Sequence, residues 1–405
     1  MQPTWCQANL KQTFNFKTAK QRPNHSSLTI GIRLRKGDRF TSNRLCDTRP
    51  HPYRCDREER PGPRTVSTPC ISVLLPVYNA ERTVQEAMDS LTAQTFEAFE
   101  VLVVNDGSTD GTDEILQAAA LKDDRIRVLT CPHRGLIDAL NAGIAESTSP
   151  LIARFDADDR AHPERLERQV HYLDRHPEVA AVGSQVHCFS EQGVAEGFRV
   201  YEAWINALIT PNDIAREIYI ESPLVHPSVT IRRSVLNEVG AYQERGWAED
   251  YDLWLRIHTA GYAMAKIPEV LLEWREGETR LTRTDSRYSV ENFLRAKAHY
   301  LGLGPLSADK ACIVWGAGQM GRRLSKHLLR EGIRIPAFVD IDPKKIGNSR
   351  RGSPIIAPDD LQAVRGNSGD PIVLAAVPSR GARDLIRRNL NDLGLVETVD
   401  YWCVA

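Results

Sequence analysis

The stretch I-S-V-L-L-P-V at residues 71–77 is almost entirely apolar and rich in branched side chains, and it decides the fold class. Interior strands of parallel sheets are buried on both faces, so an apolar run without alternation is typical of them. A second such run lies at 101–104. Between the two runs, apolar residues recur at helical spacing, at Val84, Ala87, Met88 and Leu91. A strand–helix–strand alternation therefore starts near residue 70.

The alternation continues for another fifty residues. Thr112 is placed to cap a helix over T-D-E-I-L-Q-A-A-A, and the run at 125–129 predicts a third strand. A further helix is marked by Leu136, Leu140 and Ile144, and a strand follows at 151–155. This order predicts an α/β fold with a mostly parallel sheet covered by helices on both faces.

Composition and charge exclude several classes of protein. The chain has 405 residues, of which 41% are hydrophobic and 26% charged, so it is not wholly disordered. Its length predicts two or three domains. No apolar run approaches the roughly 18–20 residues that span a bilayer. With 52 basic and 53 acidic residues, the net charge of −1 argues against a nucleic-acid partner.

The near-neutral total hides an asymmetry between the first 68 residues and the rest. Residues 1–68 hold 14 basic and 5 acidic residues, a net charge of +9, whereas the remainder carries −10. The segment lacks an apolar period and a signal-peptide pattern, so we expect a disordered basic extension of a cytoplasmic protein. Its charge favours peripheral association with an anionic membrane surface at the inner face.

Acidic residues follow two of the predicted strands. Asp106 follows V-L-V-V-N, and Asp156, Asp158 and Asp159 follow L-I-A-R-F. Ligands of parallel α/β sheets bind beyond the carboxyl ends of the strands, which is where these side chains are expected. Asp106 alone is equally compatible with a turn-forming role. Three carboxylates within four residues repel one another and call for a cation.

The segment from about 70 to 300 resembles a family 2 glycosyltransferase with the GT-A fold. Six stretches carry the resemblance in order: S-V-L-L-P-V-Y-N-A (72–80), S-L-T-A-Q-T-F (90–96), V-V-N-D-G-S-T-D-G-T (103–112), R-F-D-A-D-D-x-x-x-P-E-R-L-E-R-Q (154–169), H-P-S-V-T-I-R-R-S-V-L (226–236) and A-E-D-Y-D-L-W-L-R (248–256). The resemblance implies a GT-A domain at 69–303 that transfers a sugar from a nucleotide-sugar donor to an acceptor hydroxyl.

The resemblance also implies where the donor and a metal bind. A diphosphate leaving group gathers negative charge, which Mn²⁺ or Mg²⁺ held by carboxylates neutralises. Asp158 is implied as a direct metal ligand, together with Asp156, and Asp159 as a contact to metal or sugar. The implied nucleotide-sugar site comprises Pro76, Val77, Tyr78, Asp106, Arg134, Asp156 and Asp158. An exposed arginine without a role is an equal alternative for Arg134.

A general base must remove the proton of the acceptor hydroxyl. Asp250 precedes an apolar helical face, so it lies near a helix N-terminus, where the helix dipole favours an ionised carboxylate. The resemblance implies Asp250 as the base with Glu249 beside it, and an inverting reaction; the alternative is that both acids only stabilise the first helical turn. The implied acceptor side comprises His226, Trp274 and Arg275. The pattern Q-x-x-R-W of processive synthases is absent from the sequence, which favours single additions.

A second domain is predicted at 309–405. C-I-V-W (312–315) predicts a strand, and Gly316, Gly318 and Gly321 form G-x-G-x-x-G before a helix, with Asp340 about 20 residues onward. These four residues predict a second nucleotide site. The stretches V-D-I-D-P-K-K-I-G, G-S-P-I-I-A-P-D-D-L and I-V-L-A-A-V-P-S-R resemble the small N-terminal nucleotide-sugar-binding domain of sialic-acid-type acetyltransferases. A purely structural role and NAD(P) binding are the alternatives.

The sequence thus predicts a metal-dependent, inverting, non-processive glycosyltransferase of cell-surface glycan or polysaccharide biosynthesis. Its expected partners are a nucleotide-sugar donor and a glycan or lipid-linked acceptor. Two other hypotheses stay open. One is a nucleotide-sugar-binding scaffold without turnover, against which the complete set of acids argues. The other is an NAD(P)-linked sugar-nucleotide-modifying enzyme centred on 309–405, against which the lack of a catalytic partner domain argues.

Overall fold

The computed structural model describes residues 69–277, 280–307 and 310–405, and these ranges contain two β-sheets. The predicted basic extension at 1–68 lies outside the described residues. The strands of the first sheet are β1 (Ile71–Val77), β2 (Phe99–Asn105), β3 (Ile126–Thr130), β4 (Leu151–Arg154), β5 (Arg160–Ala161), β6 (Val179–Phe189), β7 (Thr230–Arg232) and β8 (Ala263–Arg275). They lie in the order β3-β2-β1-β4-β7-β6-β8-β5.

Helices alternate with these strands along the chain. Their bounds are α1 (Val84–Thr92), α2 (Thr112–Lys122), α3 (Leu136–Glu146), α4 (Arg165–Arg175), α5 (Glu196–Asn206), α6 (Pro211–Glu217), α7 (Arg233–Val239), α8 (Glu249–Thr259), α9 (Leu281–Thr284) and α10 (Val290–Leu303). Short 3₁₀ turns lie at His226–Ser228 and Ser286–Tyr288. Every residue of β1 and β2 is buried, which explains why neither strand shows alternation in the sequence.

The strand order fixes where a ligand site forms. β1 pairs in parallel with β2 on one side and β4 on the other, so the order reverses between β1 and β4. A crevice opens beyond the carboxyl ends at such a reversal, because the helices after the two strands cover opposite faces. The segments after β1, β2 and β4 begin with Tyr78, Asp106 and Phe155. The predicted acids therefore lie at this edge.

The second sheet contains β9 (Cys312–Trp315), β10 (Phe338–Val339), β11 (Ser349–Arg350), β12 (Ser353–Ile356), β13 (Ile372–Ala375) and β14 (Tyr401–Cys403). Its helices are α11 (Gln319–Arg330), α12 (Leu361–Asn367) and α13 (Ala382–Asp392), with a 3₁₀ turn at Pro358–Asp360. The order is β11-β12-β10-β9-β13-β14, parallel except for the β11–β12 pair. The predicted α/β class, with a mostly parallel sheet followed by a smaller Rossmann-like one, is confirmed.

One apolar cluster extends across both sheets. It joins Tyr219 and Leu301, which precede the second sheet, to Leu328, Trp402 and Val404 of the C-terminal region. All five side chains are less than a tenth exposed. Removing apolar surface from water stabilises a fold by about 25 cal/mol per Å², so this shared cluster stabilises both parts together.

The prediction that Thr112 caps α2 is wrong. Thr112 is the first helical residue, and Gly111 occupies the capping position without a side-chain hydrogen bond. The Thr112 hydroxyl instead accepts a hydrogen bond from the Ala80 amide at 2.8 Å and donates to Asp110 Oδ1 at 2.5 Å. The hydroxyl thereby joins the loops after β1 and β2, an interaction between segments 32 residues apart that local spacing does not predict.

Candidate active site at the sheet edge

Tyr78 and His133 form an aromatic pair at the edge beyond β1. Their rings stack with centroids 4.0 Å apart and an interplanar angle of 19°, and Tyr78 is 47% exposed. Pro76 and Val77 are buried at the end of β1, directly before Tyr78 at the mouth of the crevice. An exposed aromatic face offers a stacking surface for a flat ligand such as a nucleobase.

Asp106 is buried and supports the loop before α3. Its Oδ1 accepts from the Arg134 amide and its Oδ2 from the Gly135 amide, both at 2.8 Å, and His133 Nδ1 lies 2.9 Å from Oδ2. Gly135 has a φ of +95°, a conformation that side chains disfavour, so the loop depends on glycine here. The Arg134 side chain is exposed. Asp106 therefore holds this loop, and the same buried position at the end of β2 is the one from which it would contact a ligand.

Three carboxylates converge after β4. Oxygens of Asp156, Asp158 and Asp159 all lie within 4.8 Å of one another. Asp159 is 1% exposed: its Oδ1 accepts from the Arg275 amide at 2.8 Å, and its Oδ2 has no hydrogen-bond partner among the described residues. A buried carboxylate oxygen without a donor is costly, and a bound cation would satisfy it.

Electrostatics agree with a cation site at this cluster. Burial, and then repulsion by Asp156, raise the pKa of Asp158 to about 6, against the opposing charge of Arg280. Burial and the two neighbouring acids raise the pKa of Asp159 well above its ordinary value. Oxygen ligands are those that Mg²⁺, Mn²⁺ and Ca²⁺ prefer, so the donor set fits a hard divalent cation.

Arg154 lies beside this cluster, and the sequence analysis did not single it out. Its Nη2 is 2.6 Å from Asp156 Oδ1, while its Nε and Nη1 are buried without a hydrogen-bond partner among the described residues. The side chain is 3% exposed. An arginine inside an otherwise apolar strand, L-I-A-R-F, was the available signal, because arginine is seldom fully buried unless it is paired.

Arg275 and Trp274 lie at the end of β8, next to the acids. The Arg275 guanidinium bonds the Asp158 carbonyl at 2.7 Å, pairs with Glu86, and stacks 4.5 Å from the centre of the Phe189 ring. It therefore braces the acidic loop. Trp274 is 8% exposed and packs under a guanidinium that sequence reasoning missed, that of Arg280, at 4.1 Å from its ring centre.

Glu249 and Asp250 begin α8 and have different surroundings. Glu249 is 2% exposed, and both of its carboxylate oxygens accept from the Tyr288 hydroxyl, at 2.9 and 2.8 Å. Asp250 is half-buried and accepts from the Tyr251 amide at 2.7 Å. Burial, Glu249 and Glu221 raise the pKa of Asp250 to about 8. A carboxyl that titrates near neutral pH is suited to proton transfer.

His226 is buried near Arg154. Its Nε2 lies 2.7 Å from the Tyr242 hydroxyl, and its ring meets Trp254 edge-on at 6.0 Å. Burial, with a contribution from the Arg154 charge, lowers the pKa of His226 well below its ordinary value. The imidazole is therefore neutral at pH 7.

The glycine loop of the second sheet is closely packed. Gly316 has a φ of +119°, and a Cβ on Gly321 would lie 1.8 Å from the Gly316 carbonyl oxygen. Gly318 has open space where its side chain would be. Asp340 Oδ2 accepts from the Ala317 amide at 3.0 Å and from Lys345 Nζ at 3.1 Å. Packing thus accounts for Gly316 and Gly321, and the loop itself uses Asp340.

Over residues 69–277, 280–307 and 310–405, no helix has both the length and the apolar character needed to cross a membrane.

Known glycosyltransferases are similar in sequence to part of this chain. AmsE, an amylovoran biosynthesis glycosyltransferase of Erwinia amylovora, is 34% identical over 218 residues, which are 52% of this chain and 78% of AmsE. An uncharacterised glycosyltransferase of Haemophilus influenzae is 32% identical over 56% of this chain and 71% of its own. WbnJ, an O-antigen biosynthesis glycosyltransferase of Escherichia coli, is 29% identical over 56% and 90% of the respective chains.

A solved structure and a family model also match. Staphylococcus aureus TarS 1–349, crystallised with UDP-GlcNAc, superposes with a TM-score of 0.48 and 20% identity over 64% of this chain and 72% of that one. The model of glycosyl transferase family 2 matches residues 72–240, which include Asp106 and the three clustered acids. Together with 34% identity to AmsE over most of the length of AmsE, this match places the chain in glycosyl transferase family 2: it is a glycosyltransferase.

Proposed function

We propose that the chain transfers a sugar from a nucleotide-sugar donor to an acceptor hydroxyl, with inversion at the anomeric carbon and one sugar per encounter. The observation that carries this proposal is that the acids fall into two groups with different surroundings. Asp156, Asp158 and Asp159 form a cluster in which one buried oxygen, Asp159 Oδ2, has no hydrogen-bond partner among the described residues, whereas Asp250 lies outside this cluster and has a raised pKa.

Asp158 and Asp156 are the proposed metal ligands, and Asp159, whose Oδ2 is buried without a hydrogen-bond partner among the described residues, is proposed to contact the metal or the sugar. A bound Mn²⁺ or Mg²⁺ supplies charge neutralisation for the diphosphate leaving group. The loop that contains the proposed ligands is already held in place by Arg275. Arg275 fixes the loop through the Asp158 carbonyl and the Asp159 carboxylate, so the two ligands do not have to be reordered when a cation arrives.

The donor nucleotide is proposed to lie across the ends of β1 and β2. The exposed face of Tyr78 would take the nucleobase, with Pro76 and Val77 as the floor. At the end of β2, Asp106 would either form a hydrogen bond with the nucleobase or hold the loop of Arg134 and Gly135 in place. The exposed Arg134 side chain would reach the diphosphate.

Asp250 is the proposed base. Glu249 has both oxygens engaged by Tyr288, so of the two acids only Asp250 keeps an oxygen without a hydrogen bond from another side chain among the described residues. One base opposite the leaving group favours inversion, because no second nucleophile is required. His226, Trp274 and Arg275 are the proposed acceptor side.

The acceptor is proposed to be a growing cell-surface glycan or a lipid-linked precursor. This rests on two relatives, whose names give amylovoran and O-antigen biosynthesis as their roles. We propose a transferase domain at 69–303 and an accessory domain at 309–405. The basic residues of 1–68 would attract an anionic membrane surface from the cytoplasmic side. Liposome binding that is unchanged on deletion of 1–68 would refute that last point.

The accessory domain is a second candidate nucleotide site. The open space at Gly318, at the start of α11, is the observation that favours it, since phosphate groups approach helix N-termini closely where no side chain intervenes. Saturable binding of a nucleotide sugar or NADH that is lost in Gly318→Val and unaffected by Asp158→Ala supports a second site. Binding that disappears only with Asp158→Ala assigns all nucleotide affinity to the first sheet.

A donor panel tests the main proposal. The protein is incubated with Mn²⁺ and a series of UDP-, GDP- and dTDP-sugars, and nucleotide release is measured with and without EDTA. We expect release from one donor or a few, lost with EDTA and in Asp158→Ala. Asp174→Ala removes an exposed aspartate of α4 and serves as the matched control. Release from no donor, or release unchanged in Asp158→Ala, contradicts the proposal.

A further inference from the structure

Residues 217–220, which we call the bridging segment, pack against residues of α8 and of the second sheet. Ile218 and Tyr219 belong to the cluster that includes Tyr251 of α8, whereas Ile220 packs with residues of the second sheet such as Tyr401. All four residues of the segment are at most 3% exposed. The bridging segment is thus buried among apolar residues of α8 and of the second sheet.

The C-terminal helix α13 holds the start of the bridging segment. Arg387 Nη2 lies 2.5 Å from Glu217 Oε1, and Arg383 Nη1 lies 3.4 Å from Glu217 Oε2. Arg387 also pairs with Glu397 at 2.8 Å. Because Glu217 is buried, these charged hydrogen bonds are strong and directional, and they fix the segment to α13.

Lys297 of α10 holds the other end. Its Nζ donates to the Ile220 carbonyl at 2.6 Å and to the Val404 carbonyl at 3.2 Å, and the side chain is 5% exposed. One ammonium group therefore ties the bridging segment to the strand end of the second sheet. Burial lowers the pKa of Lys297 to about 8, against the opposing charge of Glu221.

The bridging segment is bonded in turn to the residue beside the proposed base. The Tyr251 hydroxyl donates to the Ile218 carbonyl at 2.7 Å, and Tyr251 directly follows Asp250. Glu221, the next residue after the segment, is close enough to Asp250 for its charge to act on that carboxyl. A shift of the segment would therefore move both the first turn of α8 and the charge that faces Asp250.

We propose that Lys297 and the Arg387–Glu217 ion pair are positioning elements for Asp250, so that the C-terminal sheet supports the transferase site. This rests on the proposed role of Asp250 as the base. The inference gives the accessory domain a function in catalysis that does not require it to bind a ligand.

The test compares Lys297→Met and Arg387→Met with two controls, Lys122→Met on α2 and Arg388→Met on α13, both of which remove exposed cations. Transfer is measured with the donor that the panel identifies, below the thermal midpoint of every variant. Misplacement of a catalytic group by about 1 Å costs up to roughly 100-fold, so we expect kcat to fall about 10- to 100-fold in both test variants. The KM and the Kd for donor should stay within about twofold, since donor contacts lie elsewhere.

Parental kcat in a folded Lys297→Met, or a raised donor KM with unchanged kcat, overturns the inference. If Lys297→Met does not fold, Arg387→Met decides in the same way, because the Arg387 side chain is partly exposed, at 16%, and its replacement disturbs the core less. Absence of transfer in the unaltered protein overturns the proposed function instead, and the inference with it. Activity in the unaltered protein that is lost in Asp250→Asn but kept in both positioning variants overturns the inference alone.

Discussion

Tyr288 donates its hydroxyl to both carboxylate oxygens of Glu249, at 2.9 and 2.8 Å, and so separates the roles of two adjacent acids. Glu249 is tied to the segment after β8, whereas Asp250, the proposed base, is half-buried and has a raised pKa. Adjacent residues on a helix point about 100° apart, which is why one acid of the pair is buried and the other is only half-buried.

Tyr288→Phe should destabilise the protein. Without the hydroxyl, the buried Glu249 loses its short hydrogen bonds, and an unsatisfied buried polar group costs about 1–3 kcal/mol in the free energy of unfolding. Urea unfolding measures this loss. Tyr262→Phe is the control, because it removes a hydroxyl bound to Glu238 at the surface and should cost at most about 0.5 kcal/mol. Equal losses in the two variants would contradict the assignment of Glu249 as a buried anchor.

Glu221→Gln should shift the acid limb of the pH profile of kcat/KM to lower pH. The base must be ionised, and the pKa of Asp250 is raised to about 8 by burial and by the charges of Glu249 and Glu221, against the Tyr251 amide. Besides being buried, the hydroxyls of Tyr201, Tyr242, Tyr251 and Tyr288 also lie close enough to Asp250 for its charge to raise their pKa values. Removing one negative charge lowers the pKa, so activity persists further into acid. Glu114→Gln, an exposed change on α2, should leave the limb in place; a limb that stays fixed in Glu221→Gln too would count against Asp250.

Mn²⁺ should raise the thermal midpoint of the unaltered protein. A ligand that binds only the folded state adds about 2.7 kcal/mol at 100 times its Kd. Asp158→Ala should abolish the metal-dependent rise. Without metal, this variant should be at least as stable as the parent, because it relieves repulsion among buried carboxylates. Scanning calorimetry with and without Mn²⁺ gives both numbers, and a rise of equal size in Asp158→Ala would place the metal elsewhere.

Gly321→Ala should destabilise the protein much more than Gly318→Ala. A Cβ at Gly321 would lie 1.8 Å from a backbone oxygen of Gly316, so we expect a loss of about 1–3 kcal/mol or more. Gly318 is unobstructed and has a negative φ, so its alanine variant should stay within about 0.5 kcal/mol of the parent. Denaturant unfolding compares them. Equal stability of the two variants would mean that the loop does not need the close approach at Gly321.

Elements could be predicted from the sequence where one continuous run of residues is buried. β1 spans Ile71–Val77, as its apolar run predicts, because an interior strand is buried on both faces along its whole length. The placement of Asp106 and the three clustered acids at the sheet edge could also be predicted, because each comes shortly after a predicted strand of a parallel sheet.

Contacts between segments that are distant in the chain could not be predicted from the sequence. Nothing near Arg275 indicates that its guanidinium pairs with Glu86, 189 residues earlier, rather than facing solvent. Tyr288 and Arg280 were missed for the same reason: each lies in a polar stretch without a motif, and its role depends on the acids and rings that folding brings to it. The apolar cluster shared by both sheets, with Tyr219 and Trp402, likewise has no local signal.

Asp250→Asn separates donor binding from transfer, and this separation is the central claim. The measurement is a single-turnover transfer with Mn²⁺ and saturating donor, with the donor Kd determined by calorimetry on the same protein. We expect the Kd to stay within about twofold and the transfer rate to fall about 10²- to 10⁴-fold, because the variant keeps the shape of the side chain but loses the base. Transfer at the parental rate, or a rate loss explained entirely by weaker donor binding, would contradict the account.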